Sequence, residues 1–448
     1  MMKRNAPLIS FFVFCFGVFI AIAEGQAPAA TYNLTLEDAV KVAFKNNKDI
    51  QIKEQEAAAV KAAILEARSV FLPQLNASFS YDHSGSVMSL SATPTAKKDI
   101  GIFTGYRNDN KMGVELDQII YNGGANTANL RQKQVQFDAQ METLRAQKLI
   151  TEFEVKRLYY GLLLAQETER IAQNLLDQAK AHYEEVKKKY EQGTASRFDS
   201  LQSSVQVSKL EPEFIKAKSA VELIDAELKK LLGLKMPDNL ILKDNFAYNR
   251  IEIKEDEFLK SAYLDNPEMK LMALGVDINK WSIEMARSGN KPQINAQIGT
   301  NYRSNDVGDM INTRHNNWQA GIAVSVPIFD GFSTKAKVDA AKARYTGAKL
   351  QKDNLGEEIA VDIRKACLDL QKAQSVIDSQ RDSVGEAKEA LKIAEVRFDN
   401  GEGTNLDVLD AQVSLSQVEK NLSEGIFDYL MAGAYLDQTM GKSMVEGD

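Results

Sequence analysis

The chain has 448 residues, two cysteines and a formal net charge of −7. That acidic balance argues against nucleic acid as a partner, because phosphate contacts need clustered Lys and Arg. With Cys15 inside an N-terminal leader, Cys367 is the one thiol left to a processed chain, and no intramolecular disulfide can form.

Lys3 and Arg4 precede an apolar run from Leu8 to Ile22 broken by Ser10, and Ala21-Ile22-Ala23 offers a small-x-small cleavage site. This is the pattern of a secretory signal peptide over residues 1–23. The run is short for a spanning helix of about 20 residues, which disfavours an uncleaved anchor. Losing Lys3 and Arg4 takes the formal charge to −9. Further along, no run approaches 18 consecutive apolar residues. Any membrane-crossing segment is therefore expected to be a β-strand.

The rest of the chain is a tandem duplication. Ala67-Arg68-Ser69 followed by Pro73-Gln74-Leu75-Asn76-Ala77 recurs 219 positions later as Ala286-Arg287-Ser288 followed by Pro292-Gln293-Ile294-Asn295-Ala296. Ile120-Tyr121-Asn122-Gly123 returns 208 positions later as Ile328-Phe329-Asp330-Gly331. The smaller offset places a longer loop between the motifs of the first copy. Residues 24–240 and 241–448 are thus predicted to be two structural repeats.

Each repeat opens with a predicted helix, Leu36 to Arg68 and about Glu255 to Arg287; Thr35, Glu37 and Asp38 supply a cap and first-turn acids for the first. Periodicity then changes from helical to alternating. Leu75, Ala77, Phe79 and Tyr81 alternate with polar residues, as do Met112, Val114 and Leu116, then Ile294, Ala296 and Ile298, then Trp318, Ala320, Ile322 and Val324. Four strands of about ten residues are predicted, near 74–83, 111–120, 293–302 and 317–326, each with one apolar and one polar face. That length suits a tilted bilayer crossing, and Phe79, Tyr81, Tyr302 and Trp318 fall where strand ends would meet an interface. Polar loops, about His83 to Asn110 and Arg303 to Asn317, join the strands in pairs.

Neither the stretch from Gly123 to Gly193 nor that from Gly331 to Gly401 contains a proline. About 65 helical residues would span roughly 100 Å, far beyond an ordinary globular helix. Small residues such as Ala125, Ala128, Ala336, Ala340 and Ala343 suit closely approaching helices in a coiled coil or tube. The helices are predicted to turn at Gly193-Thr194 and at Gly401-Glu402-Gly403-Thr404 and to return to Gly233 and Gly441, giving hairpins over 123–233 and 331–441. Ser196 and Thr404 stand at N-cap positions, with Asp199 and Asp407 three residues on as in a capping box.

Helix, strand pair, long helix, glycine turn and returning helix, all done twice, resemble the TolC family of outer-membrane efflux proteins. The resemblance rests on the duplicated Pro-Gln-[Leu/Ile]-Asn-Ala, on [Tyr/Phe]-[Asn/Asp]-Gly at the strand-to-helix junctions, and on Gly401 to Asp410 with Leu406-Asp407-Val408-Leu409-Asp410. It implies a mainly α fold with transmembrane β: a homotrimer with a 12-stranded β-barrel in the bacterial outer membrane, continuous with a periplasmic α-helical barrel. It further implies a passive duct for efflux or type I secretion, whose hairpin tips at Gly193, Thr194, Gly401, Gly403 and Thr404 meet a periplasmic adaptor (membrane fusion protein) of an inner-membrane pump. Outer-membrane lipid would surround the barrel. Asp407 and Asp410, at i and i+3 on one helix face, match family positions lining the periplasmic entrance, where a crowd of carboxylates attracts cations and raises some acid pKa values. Asp199 matches a family acid that holds the entrance closed. Gly403 departs from the pattern, standing where the family has a basic latch residue.

Catalysis finds little support, and no cofactor or metal site is predicted. His83 and His315 lie in loops and His182 on a long helix, with no ligand pair at i, i+4, so solvated histidines are expected. Gly441-Lys442-Ser443 lacks the first glycine of a phosphate loop, and Cys367 reads as a helix-packing residue. An exported coiled-coil stalk with a small β head, structural or adhesive, is the competing reading. Two passages through the β region favour the channel.

Overall fold

The structure, a computed structural model, describes residues 31–83, 108–244, 246–304 and 316–444. The predicted signal peptide, most of both polar loops and His315 lie outside these residues.

A short strand β1 (Thr31–Leu34) leads into α1 (Leu36–Asn46), α2 (Lys48–Ser69), β2 (Gln74–His83), β3 (Asn108–Asn122), and the long pair α3 (Ala125–Glu191) and α4 (Arg197–Leu232). The second half runs β4 (Asn239–Leu242), α5 (Glu255–Asp265), α6 (Pro267–Arg287), β5 (Gln293–Ser304), β6 (Asn316–Ser325), α7 (Ser333–Asp399) and α8 (Asn405–Met440). Among the described residues no helix is long and apolar enough to cross a membrane.

The opening helix of each half differs from expectation, because it is two helices and not one. Asn47 has extended backbone, and its Oδ1 accepts from the amides of Asp49 at 2.8 Å and Ile50 at 3.2 Å. Asn266 does the same for Glu268 and Met269, with Pro267 as the first helical residue. An asparagine that caps the following segment competes with continuation of the preceding one. The two breaks sit 219 positions apart, the spacing of the Pro-Gln motifs.

β2, β3, β5 and β6 form one antiparallel sheet in that order. Register sorts its faces completely. Opposite Met112, Val114 and Leu116 of β3 stand Phe79, Ala77 and Leu75 of β2 and Tyr302, Thr300 and Ile298 of β5, and next to the latter Trp318 and Ala320 of β6. The opposite face carries Lys111, Glu115 and Asp117 beside Ser80, Asn76 and Gln74, with Arg303, Asn301, Gln297 and Gln319. At the loop end, Arg303 grips Asp109 with two bonds of 2.7 and 2.9 Å, and Lys111 lies 2.9 Å from the same carboxylate. Trp318, Ile322 and Phe79 are more than 60 % exposed, so the apolar face has no cover within the chain.

The sheet passes into the long helices through left-handed turns. Gly123 and Gly124 have φ of 69° and 89°; in the second half Gly331 has φ 64°, and Phe332 takes the same region at 67°. Asn122 and Asp330 then cap α3 and α7 by accepting from the amides of Asn126 (3.1 Å) and Thr334 (2.7 Å). The Asn/Asp of that repeated motif is thus a helix cap.

α3 and α7 each have 67 residues, and α4 and α8 each have 36. Each pair has its own core midway along. In the first, Val155, Leu158, Tyr159 and Leu162 pack with Val40, Leu228 and Leu232, and with Leu34 and Leu240 of the parallel pair β1 and β4. In the second, Ile359, Ile363, Ala366, Leu370 and Cys367 pack with Tyr429 and Leu436. Cys367 is a packing residue, as its surroundings in the sequence suggested.

Candidate functional site

The residues singled out by sequence gather at the ends of the two helical hairpins, remote from the sheet. α3 stops when Gly193 enters the left-handed region at φ 76°, its amide bonding to the Tyr190 carbonyl, while Thr194 N bonds to the Lys189 carbonyl at 2.8 Å. Gly401 does the same for α7 at φ 75°. Space does not demand glycine at either position, since a Cβ would meet nothing within 4 Å; backbone conformation does.

The returning helices start with full capping boxes. Ser196 accepts from Asp199 N, and the Asp199 carboxylate accepts from Ser196 N at 3.2 Å and from Ser196 Oγ at 2.5 Å. Thr404 and Asp407 repeat the arrangement, with Thr404 N donating to Asp407 at 2.9 Å. Bonds from the Thr404 amide and hydroxyl hold the Asp407 carboxyl below its ordinary range. A raised value was expected from carboxylate crowding. Within one chain the cap dominates, because the other acids of a ring are not present. Asp410 is exposed and forms no ion pair among the described residues. Gly403 fits tightly: a Cβ there would lie 3.1 Å from Phe398 N and from Arg397 Cβ, so a larger residue requires the turn to shift.

The tips are tied across the duplication. His182, expected to be solvated, is 6 % exposed, because α8 of the other hairpin covers it. Its Nε2 lies 2.7 Å from Asn405 Oδ1, which also accepts from Ser203 Oγ at 2.9 Å. Asn405 Nδ2 returns bonds to the Asp199 carbonyl at 3.3 Å and Gln202 Oε1 at 3.2 Å. The Asp199 backbone, the Thr404 turn and Asp407 are thereby brought into one constellation.

A second tie lies one helical turn nearer the tip. Lys189 Nζ stands 2.8 Å from Glu185, 3.0 Å from Asp399 of α7, and 4.1 Å from the centre of the Phe398 ring. His182 meets the same ring edge-on at 5.0 Å. Partial burial acts to lower the Lys189 pKa, but the two carboxylates outweigh it and raise the value. Hydrogen bonding with Glu185 and with Lys189 holds Asp399 low. Sequence reasoning missed Lys189, Phe398 and Asp399 as partners. Only the equivalence of Tyr190-Glu191 with Phe398-Asp399 hinted that this ring and acid belong to a matched turn.

The chemistry available here is that of charge and fastening: acids at helix starts, one exposed carboxylate, and polar bonds joining two otherwise separate hairpins.

A family model described as "outer membrane efflux protein" matches residues 39–234 and 258–442. Outer membrane protein TolC of Vibrio cholerae is 22% identical over 448 residues, covering 98% of this chain and 96% of that protein. Alkaline protease secretion protein AprF of Pseudomonas aeruginosa is 23% identical over 424 residues, covering 94% and 86%. Among solved structures, the CmeC outer membrane channel of Campylobacter jejuni superposes with a TM-score of 0.79 at 18% identity over 98% of this chain and 94% of that one. CusC follows with a TM-score of 0.77 at 18% identity over 94% and 96%.

Proposed function

The chain belongs to the outer membrane efflux protein family, and we propose that it acts as one protomer of a homotrimeric export duct that serves a tripartite efflux pump or a type I secretion system. It is an outer-membrane channel protein whose helices extend into the periplasm. Its duct role needs no catalytic residue, and we read the chain as non-enzymatic.

One observation carries the trimer: a four-stranded sheet with an apolar face exposed and two unpaired edges, β2 and β6. In lipid each unpaired backbone group costs several kcal/mol, so the sheet must close. Four strands cannot close alone; three copies give a twelve-stranded barrel, with the apolar face toward lipid and the Lys111, Glu115 and Asp117 face lining the pore.

In this reading residues 24–240 and 241–448 are the two repeats. Their hairpins form the periplasmic tube, and Gly193, Thr194, Gly401, Gly403 and Thr404 face an adaptor of an inner-membrane pump. Asp407 and Asp410 ring the entrance, and Asp199 supports it through its cap and its carbonyl bond to Asn405.

The test is oligomer mass in detergent together with conductance in a planar bilayer. A trimer with a small, cation-preferring conductance supports the duct; a water-soluble species without conductance favours the stalk. Asp407→Ala combined with Asp410→Ala should abolish block by trivalent cations, and unchanged block refutes the entrance ring.

A further inference from the structure

Among the described residues, the hydrogen bonds and ion pairs between the two hairpins gather at two levels. The inner level is midway along α3, where Lys156 pairs with Asp437 at 3.2 Å and Arg145 donates to the Gly441 carbonyl at 2.9 Å. The outer level is at the tips. Between them an open groove separates the hairpins, lined by Thr168, Leu175, Gln206 and Lys209 on one side and Val413 and Gln417 on the other. Near the tips the apolar cores do not merge either. Leu175, Leu176, Ala179 and Leu210 belong to the first hairpin alone, and Leu391, Val408 and Leu415 to the second. Two rigid hairpins fastened at the base and tied by polar contacts at the end can part at the end without exposing a core.

The two outer ties differ in how readily they open. The His182, Asn405 and Ser203 network is buried, so parting it strands several polar groups away from water. Lys189 is a quarter exposed and Asp399 is 60% exposed, so water replaces each partner as they separate. Its grip is nevertheless specific, because one ammonium group meets the Asp399 carboxylate, the Glu185 carboxylate and the face of Phe398 together. Gly403, tight against Arg397 and Phe398, leaves the returning turn without a side chain for this work.

We propose that Lys189 is the releasable fastener of the entrance: its bond to Asp399 and Phe398 holds the second hairpin tip against the first, and breaking it lets the α7–α8 tip swing outward about the base. Lys189 is a positioning residue for transport. The inference rests on the channel reading above.

The experiment compares single-channel conductance of the purified full-length protein in planar bilayers with that of Lys189→Ala, Lys189→Gln, and the charge swap Lys189→Asp with Asp399→Lys. Lys180→Ala serves as control, since Lys180 pairs with Glu211 inside the first hairpin at 3.7 Å. Both neutral variants should conduct severalfold more than the native protein, the swap should return conductance toward the native level, and the control should be unchanged. Native conductance in both neutral variants overturns the fastener. A rise that the swap leaves uncorrected, or that Lys180→Ala reproduces, overturns it as well. A native protein that does not conduct overturns the channel reading and the fastener with it, whereas a conducting native protein with indifferent variants overturns the fastener alone.

Discussion

Glu152 and Lys156, one turn apart on α3, form a salt bridge of 2.9 Å with both side chains at least 95% buried. Glu152 also accepts from Ser443 Oγ at 2.6 Å and Met444 N at 3.1 Å, so the first repeat's long helix holds the end of the second repeat. Removing one partner of a buried pair leaves an uncompensated charge, which typically costs about 3–5 kcal/mol. Glu152→Ala should therefore lower the thermal unfolding midpoint sharply. Replacing both residues by apolar side chains of similar volume should recover most of the loss. Calorimetry of the detergent-solubilised protein checks both, and a mild Glu152→Ala effect would show the pair to be hydrated.

The sheet's two faces make opposite predictions for one substitution. Ile322 on β6 pairs with Ala296 on the apolar face, while Gln319 pairs with Gly299 on the polar face. Arginine facing lipid near the bilayer midplane costs about 2–4 kcal/mol, falling toward the interfaces. Ile322→Arg should reduce the amount of folded protein recovered from outer membranes, and Gln319→Arg should leave it unchanged. Equal recovery would mean that the apolar face does not meet lipid.

Much of this architecture could be read from periodicity and repetition, because the signals are local. Ser196 and Asp199, or Thr404 and Asp407, meet within one turn, and their capping boxes follow from spacing alone. The alternation of β2 matches its observed extent, whereas β3 runs well past its alternating centre, from Asn108 to Asn122, because β5 pairs along nearly all of it. Long-range partners left no such trace. β1 and β4 are four residues each and some 200 positions apart, too short for a period to show. His182 looked solvated because the α8 start that buries it lies in the other repeat. The breaks at Asn47 and Asn266 were hidden because the apolar period continues through both.

The cap at the second tip has a pH signature. The folded-state pKa of Asp407 lies below its ordinary value of 3.8. A depressed carboxyl contributes stability that is fully present above the unfolded pKa and is lost as pH falls through the folded one. Amides of residues 405–408 should therefore stay protected at neutral pH and lose protection only below about pH 4, once exchange is corrected for its intrinsic rate. Thr404→Ala removes the N-cap oxygen, costing about 1 kcal/mol, and should weaken protection at every pH while flattening its acid dependence. An acid dependence unchanged in Thr404→Ala would place the titrating group elsewhere.

Two glycines with nearly the same backbone should respond very differently to alanine. Gly401 and Gly441 have φ of 75° and 72°, so each pays about 1–2 kcal/mol for a Cβ in the left-handed region. At Gly401 nothing else is added, since the Cβ meets open space. At Gly441 it would lie 2.4 Å from the Asp265 carbonyl oxygen and 2.9 Å from Asn266 Cα, both backbone atoms that no rotamer change can move. The end of α8 is seated there on the break between α5 and α6, where Asn266 Nδ2 also donates to the Thr439 carbonyl at 2.8 Å. Relieving the overlap means prising these segments apart, which adds about 1–3 kcal/mol. Gly441→Ala should thus lower the unfolding midpoint clearly more than Gly401→Ala, with Gly233→Ala between them, because its Cβ would meet the movable Asn46 side chain at 2.8 Å. If all three variants melt together, conformation alone selects glycine, and the close seating of each returning helix on its broken partner does not contribute.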